Sequence, residues 1–182
     1  MEGISKKEKI IEVSEQLFLE KGFSNTSVED ITNTLGISKG SFYTYFDSKD
    51  ALLEEIVKRT LEEIEAELLE FQNKSGNKEE ILEEFVEMNI NLAKEFGPSI
   101  IISLRDVALF KENSMKTLSG KIFSMIRNTL STFIEKLFGA VTNDRVTFLS
   151  GVVFSIWIQT IFFDDRIDTK NYTNMILRGL GG

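Results

Sequence analysis

Apolar residues recur at helical spacing through nearly the whole chain, and strand-like alternation is hard to find. The first stripe is Ile10, Val13 and Leu17, flanked by Ile11 and Phe18, behind the capping box Ser5-Lys6-Lys7-Glu8. Gly22 ends that helix, with Phe23 placed to fold back. A second box, Thr26-Ser27-Val28-Glu29, predicts a short helix to Leu35, and Gly36 marks a turn. Ser38 opens another short helix through Phe46, and Ser48 a long one to about Asn73. Leu53, Ile56, Val57, Thr60, Leu61, Ile64, Leu68 and Phe71 stripe the long helix. Its opposite face, with Glu55, Glu62, Glu63 and Glu70, reads as solvated surface.

Asn77-Lys78-Glu79-Glu80 opens a helix expected to end at Gly97-Pro98, where proline lacks the backbone donor. A very apolar helix over 100–110 follows, then one over 114–138 stopped by Gly139. Asn143 or Thr142 caps a helix running to Phe163, and a last helix spans about Asp168 to Arg178. The pattern predicts an all-α protein of about nine helices. An N-terminal helix-turn-helix domain covers 1–48, and a helical bundle covers 49–182.

The 182 residues include no cysteine and no histidine, which excludes disulfides, Cys/His metal sites and every Ser-His or Cys-His catalytic pair. No metal or cofactor is expected. Glu83 and Glu87 lie one turn apart, but without a nucleophile motif an enzyme is not the reading. The net charge of −8 opposes nucleic-acid binding by bulk attraction, and residues 1–50 hold six lysines against nine acids. A DNA-binding face would have to be locally basic. The chain reads as cytoplasmic: its lysine-containing start is followed by no apolar signal region. The stretch from Val146 to Phe163 has membrane-like length but carries Thr147, Ser150, Ser155, Gln159 and Thr160, so a buried helix is preferred to a membrane span.

The informative segment is 26–50, TSVEDITNTLGISKGSFYTYFDSKD. Two short helices joined by a glycine-containing turn form a helix-turn-helix unit. Ile31 and Leu35 face inward, Gly36 takes the positive φ, Ile37 plugs the corner, and Phe42 and Phe46 anchor the second helix. Lys39, Gly40, Ser41, Tyr43, Thr44 and Tyr45 occupy its other faces, at the spacing a major-groove reading helix needs. Lys49, opening the next helix, places an ammonium beside backbone N–H groups, a phosphate-binding combination.

With Leu17-Phe18-Leu19-Glu20-Lys21-Gly22-Phe23 before it and Ser48-Lys49-Asp50-Ala51-Leu52 after it, this segment resembles the tetracycline-repressor (TetR) family of bacterial transcription regulators over about residues 5–58. Two positions depart from the family pattern: Thr32 stands where alanine is usual, and Thr44 interrupts an aromatic run. The resemblance implies a homodimer on a palindromic double-stranded operator. Thr26 and Ser27 would bind phosphate through side chain and backbone. Lys39, Gly40 and Ser41 would approach base edges or the adjacent backbone. Tyr43, Thr44 and Tyr45 would touch phosphates or thymine methyls, and Lys49 a phosphate. It further implies a repressor released by a small effector through a shift of the long helix; a helical half that docks another protein without an effector is the alternative.

Residues 51–182 hold 11 of the 15 phenylalanines. The expected effector wall is Phe85, Leu104, Phe123, Ile126 and Phe154, with Asn89, Arg105 and Gln159 as its polar groups, which suits a largely hydrophobic molecule. The 146–163 helix is apolar nearly all round and must be buried on every side. Val153, Trp157 and Ile161, with Met175 of the last helix, are therefore expected to meet a second copy, with Gly151 and Ser155 allowing close approach.

Overall fold

The computed structural model of the protein describes residues 5–105, 112–163 and 166–181, with side chains described outside 101–105 and 112–123. Eight α-helices and no strand occur among the described residues: α1 (Lys6–Lys21), α2 (Val28–Leu35), α3 (Lys39–Tyr43), α4 (Lys49–Gln72), α5 (Lys78–Arg105), α6 (Glu112–Phe138), α7 (Asn143–Ile158) and α8 (Thr169–Leu180). A π-helical turn, Gln159–Phe163, continues α7.

Most helix starts follow their capping residues. Ser5 Oγ accepts from Glu8 N, Ser38 Oγ from Ser41 N, Ser48 Oγ from Ala51 N and Asn77 Oδ1 from Glu80 N. Thr142 rather than Asn143 caps α7, and Asp168 caps α8. Each such bond satisfies a backbone donor left over at the helix end. The box before α2 sits one residue later than expected. Ser27 Oγ accepts from Asp30 N while Asp30 Oδ2 accepts from Ser27 N at 2.7 Å, so Ser27 and Asp30, not Thr26 and Glu29, close it.

The expected break at Gly97-Pro98 does not occur: α5 runs through Pro98 to Arg105, which merges two predicted helices into one. An interior proline costs about 3 kcal/mol. Burial of Leu92, Ala93 and Phe96 in the turns before it opposes that cost. Gly97 has a packing role instead of a stop role. A Cβ there would lie 2.7 Å from Ile161 Cγ1, closer than two carbons approach, so the bare backbone makes room for Ile161.

The chain divides into two compact units, Met1–Glu62 with Pro98–Lys111, and Glu63–Gly97 with Glu112–Gly182. In the first, Ile10, Leu17, Phe18, Ile31, Phe42, Phe46, Leu52, Leu53 and Ile56 are buried. Two ion pairs join α1 to α4: Lys7 to Glu55 at 2.6 Å, and Arg59 to Glu8. Glu55 is thus a tie between helices as well as a surface group. In the second unit Phe85 stacks on Phe133 at 4.3 Å between ring centroids, and Phe71 lies 5.9 Å from both. Around them Leu82, Ile134, Leu149, Ile156, Ile176 and Leu180 complete a core.

The expectation that α7 is buried on all sides fails within the chain. Val146, Leu149, Val152 and Ile156 are inward, while Gly151 and Phe154, with Phe162 beyond them, form a separate exposed stripe at helical spacing. Residues 143–163 are long and apolar enough to cross a membrane, by length and composition.

Candidate nucleic-acid interface

The α2–α3 unit is set from within. Gly36 takes φ +65° and ψ +33°, a conformation that favours glycine, and turns the chain out of α2. Ile31 and Phe42 are fully buried, and the Phe42 and Phe46 rings lie 5.8 Å apart beneath α3. Thr32, at the expected alanine position, is also buried, its hydroxyl donating to the Glu29 carbonyl at 3.1 Å. Threonine therefore fits at this contact by turning its one polar group back on its own helix.

With that side fixed inward, Lys39, Gly40, Tyr43, Thr44 and Tyr45 are exposed and Ser41 is half-buried. Tyr43 and Tyr45 are 53% and 40% exposed, although each adjoins a buried phenylalanine in the chain. A Cβ on Gly40 would meet only Ser38 Oγ, at 3.7 Å, so nothing within the chain demands glycine here. Ser41 Oγ lies 3.2 Å from Ser38 Oγ, and Thr44 Oγ1 donates to the Gly40 carbonyl at 3.0 Å. The surface thus gathers hydroxyls, phenols and bare backbone around one lysine, groups that hydrogen-bond phosphates and base edges alike.

Two expected phosphate ligands are turned inward. Thr26 is 1% exposed, and its hydroxyl bonds the Gly22 carbonyl at 2.8 Å and the Leu17 carbonyl at 3.3 Å. Its side chain braces the α1–α2 turn instead of meeting solvent. Lys49 donates to the Phe23 and Thr26 carbonyls at 2.5 and 2.6 Å, with its ammonium 4.2 Å from the Phe23 ring centroid. Those carbonyls, not a row of backbone N–H groups, are what its charge answers. Ser27 is exposed, but Asp30 takes both its N–H and its hydroxyl. These bonds hold the Asp30 carboxyl below its ordinary range.

Sequence reasoning overlooked Glu29. Its carboxylate lies 2.8 Å from Lys39 Nζ across the turn, and this partnership raises the lysine's pKa. Ten residues separate them, so no periodicity pointed to the pair; only the docked geometry of two short helices brings them together.

The expected effector wall is corrected where its side chains are described. Phe85 is a core residue, and Ile126 packs half-buried against the same core. Asn89 is buried, donating to the Phe85 carbonyl at 2.8 Å and accepting from Trp157 Nε1 at 3.2 Å. Gln159 donates to Ser155 Oγ and to the Tyr172 hydroxyl, a partner that the sequence did not suggest. Phe154 is 65% exposed on the outer face of α7 and lines no interior wall. Leu104, Arg105 and Phe123 lie outside the described side chains. Of the expected dimer residues, Met175 is exposed, Val153 packs half-buried on the core, Ile161 lies against Gly97, and Trp157 points its N–H at Asn89 of its own chain.

The fold and the outward-facing α3 define a helix-turn-helix protein. Residues 10–56 match the family model of bacterial regulatory proteins, tetR family. A transcriptional regulator of the TerR/AcrR family from Aquifex aeolicus is similar in structure, with 30% identity, a TM-score of 0.72, and 97% of this chain and 98% of that one covered. The regulator PfmR of Thermus thermophilus shares 25% identity at a TM-score of 0.70, covering 94% of this chain and 98% of that one. The negative transcriptional regulator of the biofilm operon icaADBC, IcaR of Staphylococcus aureus, is 30% identical over 124 residues, 67% of this chain and 62% of that protein. The HTH-type regulator YerO of Bacillus subtilis is 54% identical over 48 residues, 26% of this chain and 17% of its own length. The protein belongs to the tetR family of bacterial regulatory proteins, among regulators and not among enzymes.

Proposed function

We propose that this protein is a cytoplasmic, homodimeric regulator that binds palindromic duplex DNA through residues 1–48 and represses transcription. The observation that carries the reading is the polarity of α3. Phe42 and Phe46 are buried on one side, while Lys39, Gly40, Tyr43, Thr44 and Tyr45 stand in solvent on the others. Ser27 and Ser41 flank that surface. The acidic total does not oppose this role, because affinity depends on the phosphates contacted and not on net charge. Repression is supported by the likeness to IcaR, named a negative regulator.

Dimerisation is supported by the apolar groups the second unit leaves exposed. Phe154, Phe162 and Phe163 are 65%, 57% and 65% exposed, with Gly151 beside them and Met175 exposed on α8. A second copy related by a two-fold axis would cover this stripe with its own, and two reading helices about 34 Å apart would then meet successive major grooves. A small, largely hydrophobic effector completes the proposal, supported by the apolar composition of residues 51–182, which hold 11 of the 15 phenylalanines. Such a molecule releases DNA only by binding the DNA-incompetent form more tightly. Selection from random duplex DNA tests the binding. Thermal-shift screening followed by DNA release tests the effector, and stabilising compounds that leave DNA affinity unchanged would remove it from the account.

A further inference from the structure

Glu29 is out of place on a surface that only binds phosphates. It stands in the first turn of α2, 63% exposed in its side chain, and reaches Lys39 at the start of α3, itself 55% exposed. An exposed ion pair of this kind contributes little to stability. A free carboxylate would repel the polyanion that the neighbouring tyrosines and serines are placed to meet. Both objections vanish if the two charges work together on a base pair.

We propose that Glu29 and Lys39 act as one base-reading couple for a single G·C pair in the major groove, Lys39 donating to guanine O6 and N7 and Glu29 accepting from the cytosine amino group. This rests on the DNA-binding reading above and adds which base pair the surface selects. The geometry suits it. Guanine O6 and cytosine N4 are themselves hydrogen-bonded, about 2.9 Å apart, and the Lys39 Nζ to Glu29 Oε2 separation is 2.8 Å. With Lys39 between guanine O6 and N7, Glu29 Oε2 can keep the ammonium while the other carboxylate oxygen reaches along the edge to the cytosine amino group. An ammonium has three protons and a carboxylate several lone pairs, so each group can keep its partner while engaging a base. The G·C edge presents two adjacent acceptors and then a donor, a pattern the other orientations and the A·T pair do not repeat. Gly40, next to Lys39 and without a side chain, leaves the space a close approach requires. Over a non-cognate sequence Glu29 holds Lys39 and faces phosphate or a base acceptor, so the couple also discourages indiscriminate binding.

The test is selection from random duplex DNA with the full-length protein and the variants E29A, K39A and the double variant, with affinities measured for the selected duplex and for random duplex. Circular dichroism checks that each variant folds, as substitutions at exposed side chains should allow. Each single variant is expected to flatten the preference at the same base pair of each half-site by about ten-fold, and the double variant by no more than either single one. E29A should also tighten binding to random duplex. Effects at different base pairs would overturn the couple. So would an E29A variant that keeps every base preference and merely binds all duplexes more tightly, since Glu29 would then be only a counter-charge. If the unaltered protein enriches no motif, the DNA-binding reading itself fails.

Discussion

The ammonium of Lys49 lies 2.6 Å from the carbonyl oxygen of Thr26 and 2.5 Å from that of Phe23, pinning the start of α4 to the turn between α1 and α2. Thr26 braces the same turn through its hydroxyl. Lys49→Met keeps the apolar stem over Phe23 and removes the charge. Urea unfolding should show a loss of about 1–2 kcal/mol, the partly exposed setting reducing the full value of charged hydrogen bonds. DNA affinity should fall for all sequences because the head loosens, while its salt dependence stays unchanged. A phosphate-bound lysine would instead remove about 0.9 per subunit from the log–log salt slope.

The Lys7–Glu55 pair makes stability depend on acid. Hydrogen bonding and attraction from Lys7 hold the Glu55 carboxyl below its ordinary value of 4.5. A carboxyl whose folded pKa is depressed contributes fully above the unfolded value and loses that contribution as pH falls through the folded one. Glu55→Gln should therefore be less stable than the unaltered protein at neutral pH, and the difference should shrink below pH 4.5. Thermal unfolding of both proteins from neutral pH down to about pH 3, below the ordinary carboxyl range, reads it out. A difference constant across that range would show that the pair does not titrate with folding.

The indole N–H of Trp157, the only tryptophan, donates to Asn89 inside the second unit. Asn89→Ala leaves that donor and its surroundings without their acceptor and should cost about 1–3 kcal/mol. Because Trp157 is the single tryptophan emitter, its fluorescence maximum should move on the same substitution. An unchanged spectrum with unchanged stability would mean that this bond does not hold Trp157.

Phe154 tests the dimer more cleanly than Trp157, which is engaged within its own chain. At 65% exposure, Phe154 should accept glutamate without loss of the protomer fold. Phe154→Glu should keep its helical circular dichroism and appear as a monomer by light scattering, because two such carboxylates would otherwise be buried at the two-fold. A variant that stays dimeric would move the interface off this stripe.

Local rules made the helices legible, and their limits are equally local. Ser5, Ser38, Ser48 and Asn77 announce helices because a cap bonds residues two or three positions away, within reach of sequence reading. At Thr26-Ser27 two adjacent hydroxyls each had an acid three residues on, and only burial of Thr26 decides that Ser27 is the cap. Pro98 obeys a local rule that tertiary packing overrides. The outward residues of α3 followed from helical spacing around Phe42 and Phe46, but Glu29 and the inward turn of Lys49 depend on partners 10 and 26 residues away. In the helical half, apolar composition could not separate core from surface: Phe85 and Phe154 look alike in sequence, yet one is 1% and the other 65% exposed.

The most direct test of the central claim is selection of binding sites from random duplex DNA by the purified full-length protein, at a stated salt concentration. The account predicts an enriched palindrome whose half-sites lie about one helical turn, roughly 34 Å, apart or a multiple of it, with enrichment lost when Gly40 and Tyr43 of α3 are replaced together by glutamate. Recovery of no enriched motif, or of one that survives that replacement, would contradict it.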